Sequence, residues 1–244
     1  MSDARGLVFD RLAEDYELGR APWPPEVVEG VEGDAVLDLA AGTGKLTRLL
    51  VERFPRVIAV EPLAGMRSAL ERVVPRAESL EGTAEAIPLA DASVDAAFVA
   101  EAFHWFDAAA AARELARVLR PGGVLRLAFN VWKGPFRPSI GPVARRLLEE
   151  LTEKAGPGGG GKVVAAEWKR GFDGLPFTPL DERHFDHHDV ADRERAVAHL
   201  VSTSSAGALP EPERAALAEA LRAAIAPGEY RVEIDTHLYE ARRL

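Results

Sequence analysis

Three groups of residues have types and spacings that could do chemistry. The segment VLDLAAGTGKLT (36–47) carries an apolar run into a glycine bend led by Asp38, and Glu61 closes a second apolar run, RVIAVE (56–61). The segment EAFHWFD (101–107) places Glu101 and His104 among aromatic side chains after a third run. A phosphate loop needs Gly-x4-Gly-Lys-Ser/Thr, so that consecutive amides wrap a phosphate and a hydroxyl meets magnesium. Counting back from Gly44-Lys45 puts Leu39 where the first glycine belongs, and Leu46 stands where the hydroxyl belongs. That chemistry is excluded. A dinucleotide fingerprint, Gly-x-Gly-x-x-Gly, has the right context, but Thr47 stands in place of its third glycine. Asp38 would repel a pyrophosphate and suits a ligand carrying positive charge beside the bend. Glu61 can accept hydrogen bonds from a pair of hydroxyls. Histidine is the usual base at neutral pH, so His104 is either a base or an orienting, packing ring next to Trp105 and Phe106.

The elements that must position these groups alternate. AVLDLA (35–40) reads as a buried strand, and KLTRLLVERF follows with Leu46, Leu49, Leu50 and Phe54 on one helical face. RVIAVE is a second strand, and the next helix has Met66, Leu70 and Val73 on one side. VDAAFVAEA (94–102) is another strand-length run. Asp107 is placed to cap the helix AAAAARELARVL, which stops at the turn RPGG (120–123) before the strand VLRLAF (124–129). This alternation predicts right-handed crossovers, a mostly parallel sheet, and a ligand beyond the carboxyl ends of its strands. The second half is less regular. GPFRPSIGP is broken by proline, and AGPGGGGK (155–162) reads as a flexible turn rather than a phosphate cradle. Helical patterns lie around 190–201 and 211–225, and RVEIDTHLYEARR alternates as a final strand.

The 244 residues carry a formal charge of −9, with 25 arginines interspersed among acids, which argues against broad nucleic-acid binding. No apolar run of membrane-spanning length is visible, and the acid-studded start lacks an apolar signal core, so the expected location is the cytoplasm. The absence of cysteine excludes disulfides and thiolate chemistry. No glutamine, one asparagine and two methionines suggest a thermophilic source, although GC-rich DNA alone explains part of this bias.

The segment from Asp38 through Ala40 and Gly42 to Gly44 resembles the first motif, Asp/Glu-x-Gly-x-Gly-x-Gly, of the class I S-adenosylmethionine-dependent methyltransferases, with Ala40 replacing the first glycine. EPLAGM resembles the segment that follows the second strand in that family, GTAEAIPLADASVD (82–95) the one after the third, and LARVLRPGGVLRL the lead into strand five. VFDRLAEDYELGRAPWPPEVV is similar to the amino-terminal lid of the type 11 small-molecule enzymes, a group related to trans-aconitate and ubiquinone/menaquinone-pathway methyltransferases. EAFHWFD and HLVSTSSAGALPEPER (199–214) resemble one branch of that group.

The resemblance implies a Rossmann-like α/β fold, a doubly wound sheet of seven mostly parallel strands with the last antiparallel, flanked by helices. It implies a single domain: a lid (1–26), a cofactor core (27–130), an acceptor-side cap (131–178 and 189–228), and the last two strands (179–188 and 231–243). It further implies S-adenosylmethionine as cofactor and S-adenosylhomocysteine as product. The cofactor would be held by Tyr16, Arg20, Asp38, Ala40, Gly42, Gly44, Glu61, Pro62, Met66, Thr83, Ala84, Glu85 and Glu101. Trp23, His104, Trp105 and Trp132 are candidates to face a small-molecule acceptor, with Trp168 a further possibility for an apolar wall or for ordinary core. HFDHHD (184–189) tempts a metal reading, but no evident glutamate or histidine elsewhere completes a site, so a solvated strand edge with no metal is expected. Two alternatives stay open: a non-catalytic protein that binds the same cofactor, and a nicotinamide-dependent oxidoreductase, disfavoured by Asp38 and Thr47. Whether the protein is a monomer or a homodimer, and whether O, N or C is methylated, is open too.

Overall fold

The computed structural model describes residues 9, 12–133, 141–155, 163 and 166–244. Seven strands form one sheet: β1 (Ala35–Leu39), β2 (Arg56–Val60), β3 (Glu78–Leu80), β4 (Val94–Ala100), β5 (Leu119–Lys133), β6 (Asp181–Asp192) and β7 (Glu229–Arg242). Their spatial order is β3-β2-β1-β4-β5-β7-β6. The first five pair in parallel, and β7 runs antiparallel to both of its neighbours. This is the expected Rossmann-like α/β sheet with its last strand reversed.

The strands are apolar because helices cover both faces. Along β1, Val36 enters one core with Val57, Phe98 and Leu50, while Leu37 and Leu39 enter the opposite core with Ile58, Leu127 and Leu115. The helices show the complementary period. Around α2 (Thr47–Arg53), Leu46, Leu50 and Phe54 are buried at four-residue spacing. Helix α3 (Ala64–Val73) buries Met66, Ala69 and Leu70. Helix α4 (Ala108–Val118) starts where the Asp107 carboxylate accepts the Ala110 amide at 3.0 Å, as its sequence predicts.

Two strand boundaries differ from the expectation. The RPGG turn does not precede β5 but bulges out of it: the register passes from Val94↔Leu119 to Ala96↔Val124, with Gly122 at φ +82°. The strand then runs on to Lys133, because β7 pairs with it along its whole second half. Likewise β6 continues four residues past 188, to Asp192, where it caps a following helix through the Arg195 amide. The glycine-rich stretch 156–162 and most of GPFRPSIGP lie outside the described residues.

A third apolar cluster forms over the carboxyl ends of the strands. It joins helix α5 (Gly141–Ala155), α6 (Arg193–Val201), the short α7 (Ser204–Gly207) and α8 (Glu211–Ala224) to Val232 and Ile234 of β7. Helix α1 (Ala13–Gly19) packs across α6 so closely that a Cβ on Gly19 would lie 2.2 Å from the His199 backbone nitrogen. Arg214 pairs with Asp15 at 2.6 Å, and Arg20 donates to the Ser202 carbonyl at 3.1 Å. The amino-terminal segment is thereby fastened to the cap. Among the described residues no helix is long and apolar enough to cross a membrane.

Candidate functional site

The sheet order reverses between β1 and β4, and at such a switch point the crossovers diverge and leave a crevice. The chain bends sharply at both strand ends. Ala40 and Glu101 take left-handed backbone conformations, φ +56° and +55°, as do Gly42 and Gly44 at +59° and +88°. Non-glycine residues in that region are uncommon and concentrate where a site dictates the backbone.

Above these bends lies a cavity of about 270 Å³, open on one side. That is near the lower end of the range of small-molecule sites, about 300–1,000 Å³. Of the residues singled out from sequence, Tyr16, Arg20, Ala40, Gly42, Glu61, Met66, Glu101, His104, Trp105 and Trp132 line it. Asp38, Gly44, Pro62, Thr83, Ala84 and Glu85 do not. Trp23 lines a small side cavity shared with Tyr16, Arg20, Lys45 and Trp132.

Glu61 is buried at the cavity wall, and its two oxygens accept the Gly42 and Leu63 amides, each at 2.9 Å. The glycine bend and the end of β2 are therefore tied through one carboxylate. Asp38 sits deeper. Its Oδ2 accepts the Thr47 hydroxyl at 2.6 Å, while Oδ1 is buried with no hydrogen bond in the structure. Burial pushes its pKa up to about 7, Glu61 adds to the rise, and the Thr47 hydrogen bond opposes it. A cationic group near the bend would relieve this cost. Asp38 thus faces Thr47 rather than the cavity surface and would act on a ligand through its field rather than by contact.

Glu101 accepts the Asn130 amide at 2.7 Å. Burial raises its pKa, opposed by Arg20 and that amide. The Arg20 guanidinium lies over the Tyr16 ring, 4.9 Å from its centre. Burial pushes the Tyr16 pKa up to about 12, so its hydroxyl is a donor at neutral pH. Glu61 and Glu101 against the one guanidinium of Arg20 leave this end of the cavity suited to a ligand with a net positive centre.

The far end is aromatic. His104 stands in a single turn, Phe103–Trp105, directly after β4, with its ring 4.7 Å from Trp105 and 5.7 Å from Phe129 between centroids. Trp132 packs on His199 at 4.2 Å, and burial holds the His199 pKa well below the ordinary value, so that imidazole is neutral. Trp168 belongs to the core instead, against Phe103, Phe129 and Tyr239 at 5.0–5.7 Å. Glu85 is engaged with the Asp107 amide at 3.1 Å, and Ala84 is buried in the core beside it.

Phe9, Leu63, Phe106, Asn130, His199, Thr203 and Ser204 also line the cavity, and none was singled out from sequence. Asn130 carried a usable signal, as the chain's single asparagine at the end of an apolar strand. His199, Thr203 and Ser204 fall within the 199–214 segment, whose pattern marks a helix without marking which face meets a ligand.

The metal reading of 184–189 also changes. The edge strand is exposed as expected, but β7 brings His237 opposite His184, with Glu182 alongside, so ligand-type partners are present after all. His237 was invisible in sequence because it lies half a hundred residues away, on a neighbouring strand, whereas Glu182 stands two residues before His184.

A family model described as "Methyltransferase domain" matches residues 37–127. An uncharacterized methyltransferase of Schizosaccharomyces pombe is 32% identical over 217 residues, covering 86% of this chain and 83% of its own. The chain belongs to the methyltransferase family, with the class I S-adenosylmethionine-dependent fold. An uncharacterized methyltransferase of Mycobacterium tuberculosis strain H37Rv is 51% identical over 127 residues; the match covers 51% of this chain and about half of the mycobacterial protein, 52%. A solved structure from Anaeromyxobacter dehalogenans, provisionally assigned as a type II methyltransferase, aligns over 98% of this chain and 95% of its own with TM-score 0.59 and 26% identity.

Proposed function

We propose that the protein moves the sulfonium methyl group of S-adenosylmethionine onto an O, N or C atom of a small molecule held at the aromatic end of the cavity. The observation that carries this reading is Glu61, a buried carboxylate held at the cavity wall by the Gly42 and Leu63 amides, an acceptor of the kind that ribose hydroxyls require. The bend at Ala40–Gly44, the buried orphan oxygen of Asp38 and the acid-rich wall fit the same cofactor. The cofactor supplies the leaving group, because a methyl on a trivalent sulfur cation is activated toward in-line displacement.

The protein's part is then placement, proton handling and exclusion of water. Glu61 orients the sugar, Met66 packs on the base, and Arg20 with the Tyr16 hydroxyl closes over the amino-acid end beside Glu101. Trp105, Trp132 and His104 frame the acceptor, and His104 takes a proton from it where the acceptor atom carries one. Arg20 and Tyr16 reach the cavity from the segment fastened to the cap, so their closing positions depend on that junction.

Two measurements decide the matter. Thermal shifts with S-adenosylmethionine, S-adenosylhomocysteine and NAD are expected to show stabilisation by the first two; stabilisation by NAD alone overturns the proposal. Transfer of labelled methyl across a panel of phenols, carboxylic acids and amines is expected to yield product. Binding without turnover across a broad panel would favour a non-catalytic cofactor-binding role.

A further inference from the structure

We propose that Glu182, His184 and His237 bind a divalent cation of borderline softness, such as zinc or cobalt(II), which clamps the edge strand β6 onto β7. One ligand-type atom from each lies within 4.8 Å of the other two. The pairing register explains the convergence. His184 stands directly opposite His237 across the antiparallel pair, and Glu182, two residues earlier, shares its face. The imidazoles sit 4.0 Å apart between ring centroids.

One of the three ligand separations already matches that of a metal centre. In a tetrahedral site with bonds of about 2.0–2.1 Å, neighbouring ligand atoms stand about 3.3 Å apart. His184 Nε2 and Glu182 Oε1 are already 3.3 Å apart. The outer partners are in place too. His184 Nδ1 lies 3.2 Å from Asp235 Oδ2, the carboxylate–histidine arrangement that turns the opposite ring nitrogen toward a metal. The same Asp235 oxygen lies 3.2 Å from His237 Nε2. Glu182 is steadied by the Tyr239 hydroxyl at 2.7 Å and by Lys169 at 2.9 Å. Two imidazoles with one carboxylate select zinc, cobalt or nickel over magnesium or calcium, which prefer all-oxygen shells. With the Nδ1 proton directed at Asp235, the lone pair of His184 Nε2 is donated to the cation, and solvent completes the coordination. None of the three residues lines the cavity at the switch point, so the site is separate from methyl transfer.

The test uses tag-free full-length protein stripped on a chelating resin, then titrated with CoCl2 and with ZnCl2 by calorimetry and, for cobalt, by visible d–d absorption. One equivalent is expected, with the band intensity of a low-coordinate cobalt site and a metal-dependent rise in Tm. His184→Ala and His237→Ala are each expected to weaken binding at least about tenfold, and Asp235→Asn by about 10–100-fold, the usual cost of a lost outer partner. His188→Ala, on the same strand but outside the cluster, should bind as the parent does. Unchanged Tm of the metal-free variants verifies folding, since His184 and Glu182 are exposed. Binding only at millimolar metal, or parental affinity in both histidine variants, overturns the proposal. Neither outcome bears on the methyl-transfer reading.

Discussion

Asp38 is the residue whose chemistry is most altered by the fold. Its folded pKa, about 7, lies above the ordinary carboxylate value because burial disfavours the charge. The folded state therefore binds more protons than the unfolded chain between these two values. Its contribution is fully present below pH ~4 and is lost as pH rises through about 7. Asp38→Asn copies the neutral form and can still accept the Thr47 hydroxyl. Urea unfolding at pH 4, 6 and 8 should show the variant gaining on the parent as pH rises; a gap that stays constant over that range would contradict this. Ala40 makes a second prediction. A left-handed conformation costs an L-residue about 1–2 kcal/mol, against about 0.5–1 kcal/mol for the extra chain entropy of glycine. Ala40→Gly should raise stability by up to about 1 kcal/mol in the same assay, and a loss of stability would show that the bend is not strained.

At the scale of elements, the junction between α1 and α6 decides whether Tyr16 and Arg20 reach the cavity. Alanine in place of Gly19 would gain about 1 kcal/mol of helix propensity. The added methyl meets the His199 nitrogen at 2.2 Å and the Ala198 carbonyl carbon at 2.6 Å, both backbone atoms that cannot swing away. Overpacking of this kind costs typically about 1–3 kcal/mol, so the clash wins. Gly19→Ala should lower Tm and weaken nucleoside binding together. A higher Tm with unchanged binding would mean that the two helices are not so tightly apposed. The same junction shows where sequence reasoning reached its limit. Strands β1, β2 and β4 were legible because both of their faces are buried, leaving apolar runs with no polar interruption. The α4 cap was legible because Asp107 bonds to an amide three residues away. The RPGG bulge was not, since turn residues read alike whether they end a strand or loop out of one. Gly19 gave no hint either, because its need is set by α6, almost two hundred residues further along.

Over the whole molecule, the lining of the cavity at the strand ends was partly readable, as were His104, Trp105 and Trp132, whereas the rest of the cap side was not. Glu61, Gly42 and Glu101 occur at strand ends, where a switch point fixes the location of a ligand whatever the ligand is. The cap side instead gathers Asn130, His199, Thr203 and Ser204 from a strand end and two helices joined only through tertiary packing. Trp168 illustrates the difficulty: an aromatic in an irregular segment looks the same as pocket lining or as core, and Phe103, Phe129 and Tyr239 claim it for the core. Glu61 and Glu101 with one arginine at the opposite end, and Asp38 buried beneath them, give the cavity its polarity, an electronegative floor under an aromatic roof. Calorimetric titration of the full chain and of Glu61→Ala with S-adenosylhomocysteine and with NAD examines that floor without needing the acceptor. The parent is expected to bind the homocysteine nucleoside and not NAD. The variant is expected to lose about 1–3 kcal/mol, about five- to 150-fold in Kd. Equal affinity in parent and variant, or tighter binding of NAD, would contradict the role given to Glu61 and with it the cofactor.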